Sequence, residues 1–253
     1  MKVHCLGTTG YHPSPTRHTA CYYVPELSLL LDAGTGMFAL TPLLLNDPRK
    51  TLDVFLSHTH LDHIVGLTFL LDTCAVTTLE RVRVHGERRK LDAVREHLFS
   101  EHLFPLFPTQ IEFCPLDEDK GRMELVNGAT IEWFPLEHPG GCMGVRVDWR
   151  GHALAYITDT VARPNADYLH HLADVDLLMH ECYFTDDHCE FAKATGHSWL
   201  SAVTDVVRQV RPKKTALIHL SPMAEILNAS VTLTSEHAHL GIFIPNDGDC
   251  CQW

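Results

Sequence analysis

Short apolar runs that end abruptly in a histidine or an acid recur along the chain. Thr51–Ser57 leads into His58, Ala153–Thr158 into Asp159, Leu177–Met179 into His180-Glu181, and Ala216–Ile218 into His219. Runs of this length suit buried strands. Polar residues placed just beyond several such strands converge at the carboxyl edge of a sheet, where open α/β folds hold their sites. Segments with helical spacing lie between them. Ile64–Leu71 follows the first histidine cluster without a breaker, and Arg88–Leu98 is charged and amphipathic. Ser198–Val210 sets Leu200, Val203, Val206, Val207 and Val210 on one face, with Ser198 the expected N-cap and Pro212 the stop. Nearer the start, Val24–Asp32 followed by Gly34 and Gly36 reads as a strand and then a turn. Phe99–Pro108 is a loop too apolar for idle exposure, expected either to pack against the body or to wall a pocket. No repeat, low-complexity tract or linker divides the sequence, so residues 1–253 are expected to form a single domain.

Composition narrows the function. A chain of 253 residues buries a sufficient core without disulfide or metal staples. Twenty Lys and Arg against 32 Asp and Glu give a net charge of −12, a field that repels polyanions and argues against binding nucleic acid by phosphate neutralisation. Nine cysteines form no C-x-x-C pair, which signals neither a redox motif nor a structural zinc knuckle. No apolar run approaches transmembrane or signal-peptide length, so a reduced, cytoplasmic protein without a membrane partner is expected. The unusual figure is 19 histidines, nearly as many as Lys and Arg together.

Those histidines concentrate in His58-Thr59-His60-Leu61-Asp62-His63, three imidazoles and a carboxylate within six residues at a strand-to-helix turn. A turn can aim neighbouring side chains inward that a regular strand would splay to opposite faces. Imidazole nitrogen suits Zn, Fe, Ni or Cu, and the carboxylate also admits Mn. His58 and His60 can face one ion, Asp62 and His63 a second. His138, Asp159 and His219 recur after later strands and complete five histidines and two aspartates, enough for two ions once solvent is added.

The series His58-x-His60-x-Asp62-His63, His138, Asp159, His219 resembles the signature of the metallo-β-lactamase fold superfamily. The resemblance implies an α/β architecture, a four-layer αββα sandwich with two divalent metal ions, Zn or otherwise Mn or Fe. It implies that His58, His60 and His138 hold one ion, that Asp62, His63 and His219 hold the other, and that Asp159 bridges them. β-Lactamases themselves usually lack that aspartate, so Asp159 argues against antibiotic hydrolysis.

Within the superfamily the chain resembles the branch of tRNase Z and related small phosphodiesterases. Leu6-Gly7-Thr8-Thr9-Gly10 with Pro13 and Arg17, and Leu31-Asp32-Ala33-Gly34, are similar to that branch's opening. His180-Glu181 and Gly196-His197-Ser198 are similar to its His-Glu-Ala-Thr and His-Ser-Thr motifs, in which the glutamate orients a histidine that protonates the leaving group. The sequence departs at Cys182-Tyr183, at Trp199 and at Leu220-Ser221-Pro222. It also departs where tRNase Z usually inserts its tRNA-gripping arm. Only twenty residues separate His138 from Asp159, enough for a hairpin turning near Arg146–Gly151.

These readings converge on a dinuclear metal-dependent hydrolase cleaving a small, cyclic or nucleotide phosphodiester. The metals would share a hydroxide as nucleophile, with the catalytic trio His197, Glu181 and Asp62 and with His197 as general acid. tRNA is an unexpected partner, and a homodimer is common in the branch. The alternatives are a lactonase or thioesterase on the same metals, a tRNA 3′-processing endonuclease, or a redox di-iron protein.

Overall fold

The computed structural model describes residues 1–116, 119–227 and 229–253. They divide into two compact units, one of residues 2–118 with 246–251, the other of residues 119–245 with the two termini. Each is built on one seven-stranded mixed sheet.

The first unit holds β1 (Lys2–Gly7), β2 (Cys21–Val24), β3 (Leu29–Leu31), β4 (Thr51–Phe55), β5 (Arg81–Glu87) and β6 (Ile111–Leu116). These strands lie side by side in chain order, with the C-terminal strand (Cys250–Gln252) on the outer edge of β1. Pairing is antiparallel from β1 to β3 and parallel from β3 to β6. Leu30, Leu52, Val54, Val82 and Val84 form a core with Leu40, Leu44, Leu70 and Leu91 from α1 (Leu40–Asn46), α3 (Leu70–Val76) and α4 (Arg88–Ala93). Each fully buried aliphatic side chain there contributes about 1.5–3 kcal/mol.

The second unit repeats the plan. β7 (Gly121–Glu124), β8 (Thr130–Leu136), β9 (Cys142–Trp149) and β10 (His152–Ile157) form an antiparallel meander. β10, β11 (Leu177–Glu181), β12 (Lys214–Ile218) and β13 (Ile242–Phe243) continue in parallel. The β9–β10 hairpin turns at Arg150 and Gly151, both with positive φ (52° and 78°), as a tight two-residue turn requires. Helix α6 (Leu200–Val210) buries Val203, Val206 and Val207 against Leu178 and Leu217 of this sheet.

Three expected elements differ in detail. Val24–Asp32 is not one strand, because Pro25 opens a 3-10 turn and Ser28 takes φ 49° before β3 begins. Ile64–Leu71 is broken into α2 (Leu61–Ile64), a 3-10 segment Val65–Phe69, and α3. Gly66 accounts for the break: its N–H donates to Ala33 O at 2.8 Å, and a Cβ there would stand 2.3 Å from Gly34 O. Ser198 is not the N-cap of α6. Trp199 takes that position without a side-chain bond, and Ser198 Oγ instead donates to Thr160 O at 2.6 Å and accepts from Ala162 N at 2.8 Å. The apolar loop Phe99–Pro108 packs its rings together, Phe99 lying 5.0 Å from Phe107 and 6.0 Å from Phe104, while Leu103 and Leu106 stay exposed.

Candidate metal centre and proton donor

In the first unit the parallel strands β3 and β4 end side by side, and Asp32 and Ser57-His58 follow their carboxyl ends. Asp32 is fully buried and takes φ 56°, a left-handed conformation that swings its side chain off the strand line. Its carboxylate accepts from Ser57 N, Ser57 Oγ and His63 Nδ1, each at 2.7 Å. These bonds determine the imidazole tautomers. A serine hydroxyl that donates to Asp32 is left to accept from His58 Nδ1–H at 3.1 Å. His63 Nδ1–H donates to Asp32 directly, so in both His58 and His63 the proton sits on Nδ1 and Nε2 is the unprotonated nitrogen, the tautomer a metal ligand needs.

His60 is exposed on the loop before α2, with its ring 4.4 Å from that of His58, and His63 lies 4.2 Å from His58 on the other side. Asp62 and His63 share the single turn of α2, with Asp62 Oδ2 3.3 Å from His63 Nε2. Two ligands bound at about 2.0–2.1 Å to a tetrahedral ion stand about 3.3 Å apart. Asp62 Oδ2 also accepts from Tyr11 N at 2.7 Å, which ties the N-terminal loop to the cluster.

In the second unit β8, β10, β11 and β12 run in the same direction, so the residues at their carboxyl ends share one edge. These are His138, Asp159, Glu181 and His219. Asp159 and His219 take φ 44° and 51°, so both sit in left-handed backbone immediately past a strand. Non-glycine residues held there cost about 1–3 kcal/mol each and cluster at functional sites. Asp159 faces a different histidine with each oxygen: Oδ1 lies 3.3 Å from His219 Nε2, and Oδ2 3.6 Å from His138 Nε2. His138 Nδ1–H donates to Gly196 O at 3.0 Å, which again makes Nε2 the unprotonated nitrogen. Gly196 has φ 79°, and a Cβ there would press to 2.4 Å from Pro139 Cδ. Burial lowers the proton affinity of His138 and outweighs the nearby Asp159 carboxylate. Three imidazoles (His63, His138 and His219) and two carboxylates (Asp62 and Asp159) at ligand spacing fit divalent metals, and the fold implies such ions.

Glu181 ends β11 fully buried. Its Oε1 accepts from Thr160 N at 2.6 Å and from His197 Nδ1 at 3.2 Å, and its Oε2 accepts from Ser198 N at 3.1 Å. His197 Nδ1–H is thereby committed, and Nε2 faces away with the ring stacked on Tyr183 at 4.7 Å. Ligand atoms of Asp159, His197 and His219 lie within 4.8 Å of one another. His180 is buried between Tyr168 OH at 2.9 Å and the Glu181 carbonyl at 2.7 Å, and burial lowers its pKa. It supports β11 rather than an ion ligand.

Two contributors were not singled out as site residues from sequence. Asp32 was visible only as part of Leu31-Asp32-Ala33-Gly34, and nothing in that run announces three hydrogen bonds. Tyr183 stands at a departure from the branch motif and stacks on the histidine that motif supplies.

The family model described as Beta-lactamase superfamily domain matches residues 28–220. Among curated proteins, a ribonuclease Z of Haloarcula marismortui is 26% identical over 272 residues, with 87% of this chain and 86% of that protein covered. A ribonuclease Z of Halobacterium salinarum is 38% identical, with 87% of each chain covered. Among solved structures, the metallo-beta-lactamase fold protein YhfI of Bacillus subtilis superposes with a TM-score of 0.77 at 20% identity, covering 99% of both chains. That likeness shows the αββα fold.

Proposed function

The chain belongs to the beta-lactamase superfamily and is a hydrolase of it, and from that premise we propose that it is a phosphodiesterase acting on a small diester with two zinc ions. His58, His60 and His138 would hold one ion and Asp62, His63 and His219 the other, with Asp159 within reach as a shared ligand. Divalent ions held there supply Lewis acidity and a water-derived nucleophile at neutral pH. The chain's own residues do the rest. Asp32, Ser57 and Gly196 O fix the ring tautomers in which Nε2 is the unprotonated nitrogen of His58, His63 and His138. Glu181 holds His197 Nδ1–H, so a proton on Nε2 can pass to a departing alkoxide oxygen, a step worth about 10²–10⁴-fold.

The observation that carries this reading is the buried Glu181 bonded to His197 beside Asp159 and His219. A lactone or thioester has less need of such a donor.

The names of the ribonuclease Z relatives favour a second reading, RNA 3′-processing. Three features weigh against it. The net charge is −12, and the segment between His138 and Asp159 is filled by strands β9 and β10 with a two-residue turn. The alignment to the Haloarcula protein runs over 272 residues yet uses only 87% of this chain, so that relative carries residues with no counterpart here.

The test is metal content and bis(p-nitrophenyl) phosphate hydrolysis on one preparation, wild type beside Asp62→Ala. Near two zinc ions per chain, with cleavage lost in the variant, is expected. Two ions without diester cleavage would move the activity to lactones or thioesters.

A further inference from the structure

A line of rings runs outward from His197. Tyr183 stacks on it at 4.7 Å with 21° between the planes, and the Tyr183 ring lies 5.6 Å from that of His219. Phe184 follows at 4.7 Å from Tyr183, and Phe191 of α5 (Cys189–Thr195) at 5.5 Å from Phe184. Tyr183 and Phe184 are half-buried and Phe191 is 59% exposed, so the line reaches the surface instead of closing into the core. A single exposed phenylalanine needs no explanation, but contiguous apolar surface beside a polar site marks a ligand groove. The neighbouring strand adds to it. β12 lies beside β11, and α7 (Pro222–Ile226), which opens three residues after His219, leaves Met223 and Ile226 exposed.

The charges on the same stretch work against an anionic guest. Asp186, Asp187 and Glu190 are exposed acids, and Lys193, the only lysine or arginine in residues 182–199, is paired with Glu190 at 2.7 Å. Such a surface repels a chain of phosphates. Phe184 and Phe191 carry no side-chain donor or acceptor with which to read the edge of a nucleobase. In the proposed hydrolysis a water-derived oxygen bonds to phosphorus, the bond from phosphorus to the leaving oxygen breaks, and His197 Nε2 gives that oxygen its proton. The departing alcohol therefore leaves on the His197 side, where Tyr183 begins the line. We infer that Tyr183, Phe184 and Phe191 seat the leaving group of the diester and select an uncharged, apolar alcohol. The inference rests on the phosphodiesterase reading and names the chemistry of its leaving group.

The test is hydrolysis of three methyl aryl phosphates by the full-length protein with its metals, the leaving phenols being phenol, p-butylphenol and p-hydroxybenzoate. These phenols are similar in acidity, so differences in rate report how the leaving group is seated. kcat/KM is expected to be about tenfold higher for the butylphenyl ester than for the phenyl ester, and about tenfold lower for the carboxyphenyl ester. Phe191→Ala, at an exposed position, and Tyr183→Leu, which removes the ring and keeps apolar bulk, should each cut the butyl preference by about three- to fivefold. Equal kcat/KM on all three esters, or a preference unchanged in both variants, would overturn the inference. So would inhibition of the butylphenyl reaction by uridine as strongly as by p-butylphenol, which would give the rings to a nucleobase. Cleavage of the three esters without preference defeats the leaving-group inference alone. No cleavage of any diester, bis(p-nitrophenyl) phosphate included, defeats the phosphodiesterase reading and the inference with it.

Discussion

Asp32 illustrates how much a site can depend on a residue that binds nothing itself. Its carboxylate is fully buried and satisfied by three donors, two of which determine the protonation of His58 and His63. Asp32→Asn keeps the volume but replaces an acceptor oxygen with a donor amide, which sets a donor against Ser57 or His63. Partners of this kind are worth about 10–100-fold in metal affinity. Asp32→Asn loaded with zinc should therefore lose it to a competing chelator at about 10–100-fold lower chelator concentration than zinc-loaded wild type; equal retention would show that Asp32 does not support the histidines in binding metal. A second residue-scale effect concerns pH. Burial lowers the pKa of His180, and of His171 and His4, below the ordinary 6.5. Above 6.5 both folded and unfolded chains hold these rings neutral and stability is complete. As pH falls from about 6.5 towards the lowered folded values, the unfolded chain takes up protons that the folded chain refuses, and stability is lost. The urea midpoint should drop between pH 7.5 and 5.5, and drop less in His180→Gln, which cannot charge. An identical drop in the variant would show that His180 is not a source of the loss.

At the scale of elements, what was legible in the sequence is the strand ending in a ligand. β4, β10, β11 and β12 lie where apolar runs stop at His58, Asp159, Glu181 and His219, because a buried strand must be apolar and its exit is the first place a polar side chain can go. The helix after His63 was legible as helical spacing but not as three pieces, since the break arises from Gly66 closing on Gly34, a contact far apart in sequence. The role of Ser198 was misread for a similar reason. A serine just before an apolar helix looks like a cap, yet tertiary partners at Thr160 and Ala162 take its hydroxyl. Ser198→Ala strands Ala162 N–H in the interior, a cost of about 1–3 kcal/mol. A cap lost to alanine would cost about as much, typically about 1 kcal/mol, so stability alone does not separate the roles. The discriminating variant is Trp199→Asp, which places a capping side chain at the observed N-cap. It should leave the Ser198→Ala deficit in place when the two are combined, as measured by urea unfolding. Rescue of Ser198→Ala by Trp199→Asp would restore the capping role.

For the whole molecule, the pattern of strand directions is repeated in both units: an antiparallel start, then a parallel run whose carboxyl ends carry the chemistry. The candidate ligand series was legible as a pattern because metal chemistry leaves few residue types to choose from. The tautomer-setting bonds were not, since they depend on backbone conformations such as φ 56° at Asp32 that composition does not reveal. No helix among the described residues is long and apolar enough to cross a membrane. In the proposed reaction Glu181 and His197 deliver a proton to a poor leaving group beside the metals. The most direct measurement is kcat of His197→Ala against two diesters, bis(p-nitrophenyl) phosphate with its good leaving group and a dialkyl-type nucleotide diester with a poor one, alongside metal content. Undiminished metal is expected, with a small loss on the nitrophenyl ester and a loss of about 10²–10⁴-fold on the alkoxide. Equal losses on both substrates, or metal lost with the histidine, would contradict it and make His197 a ligand or a structural residue instead.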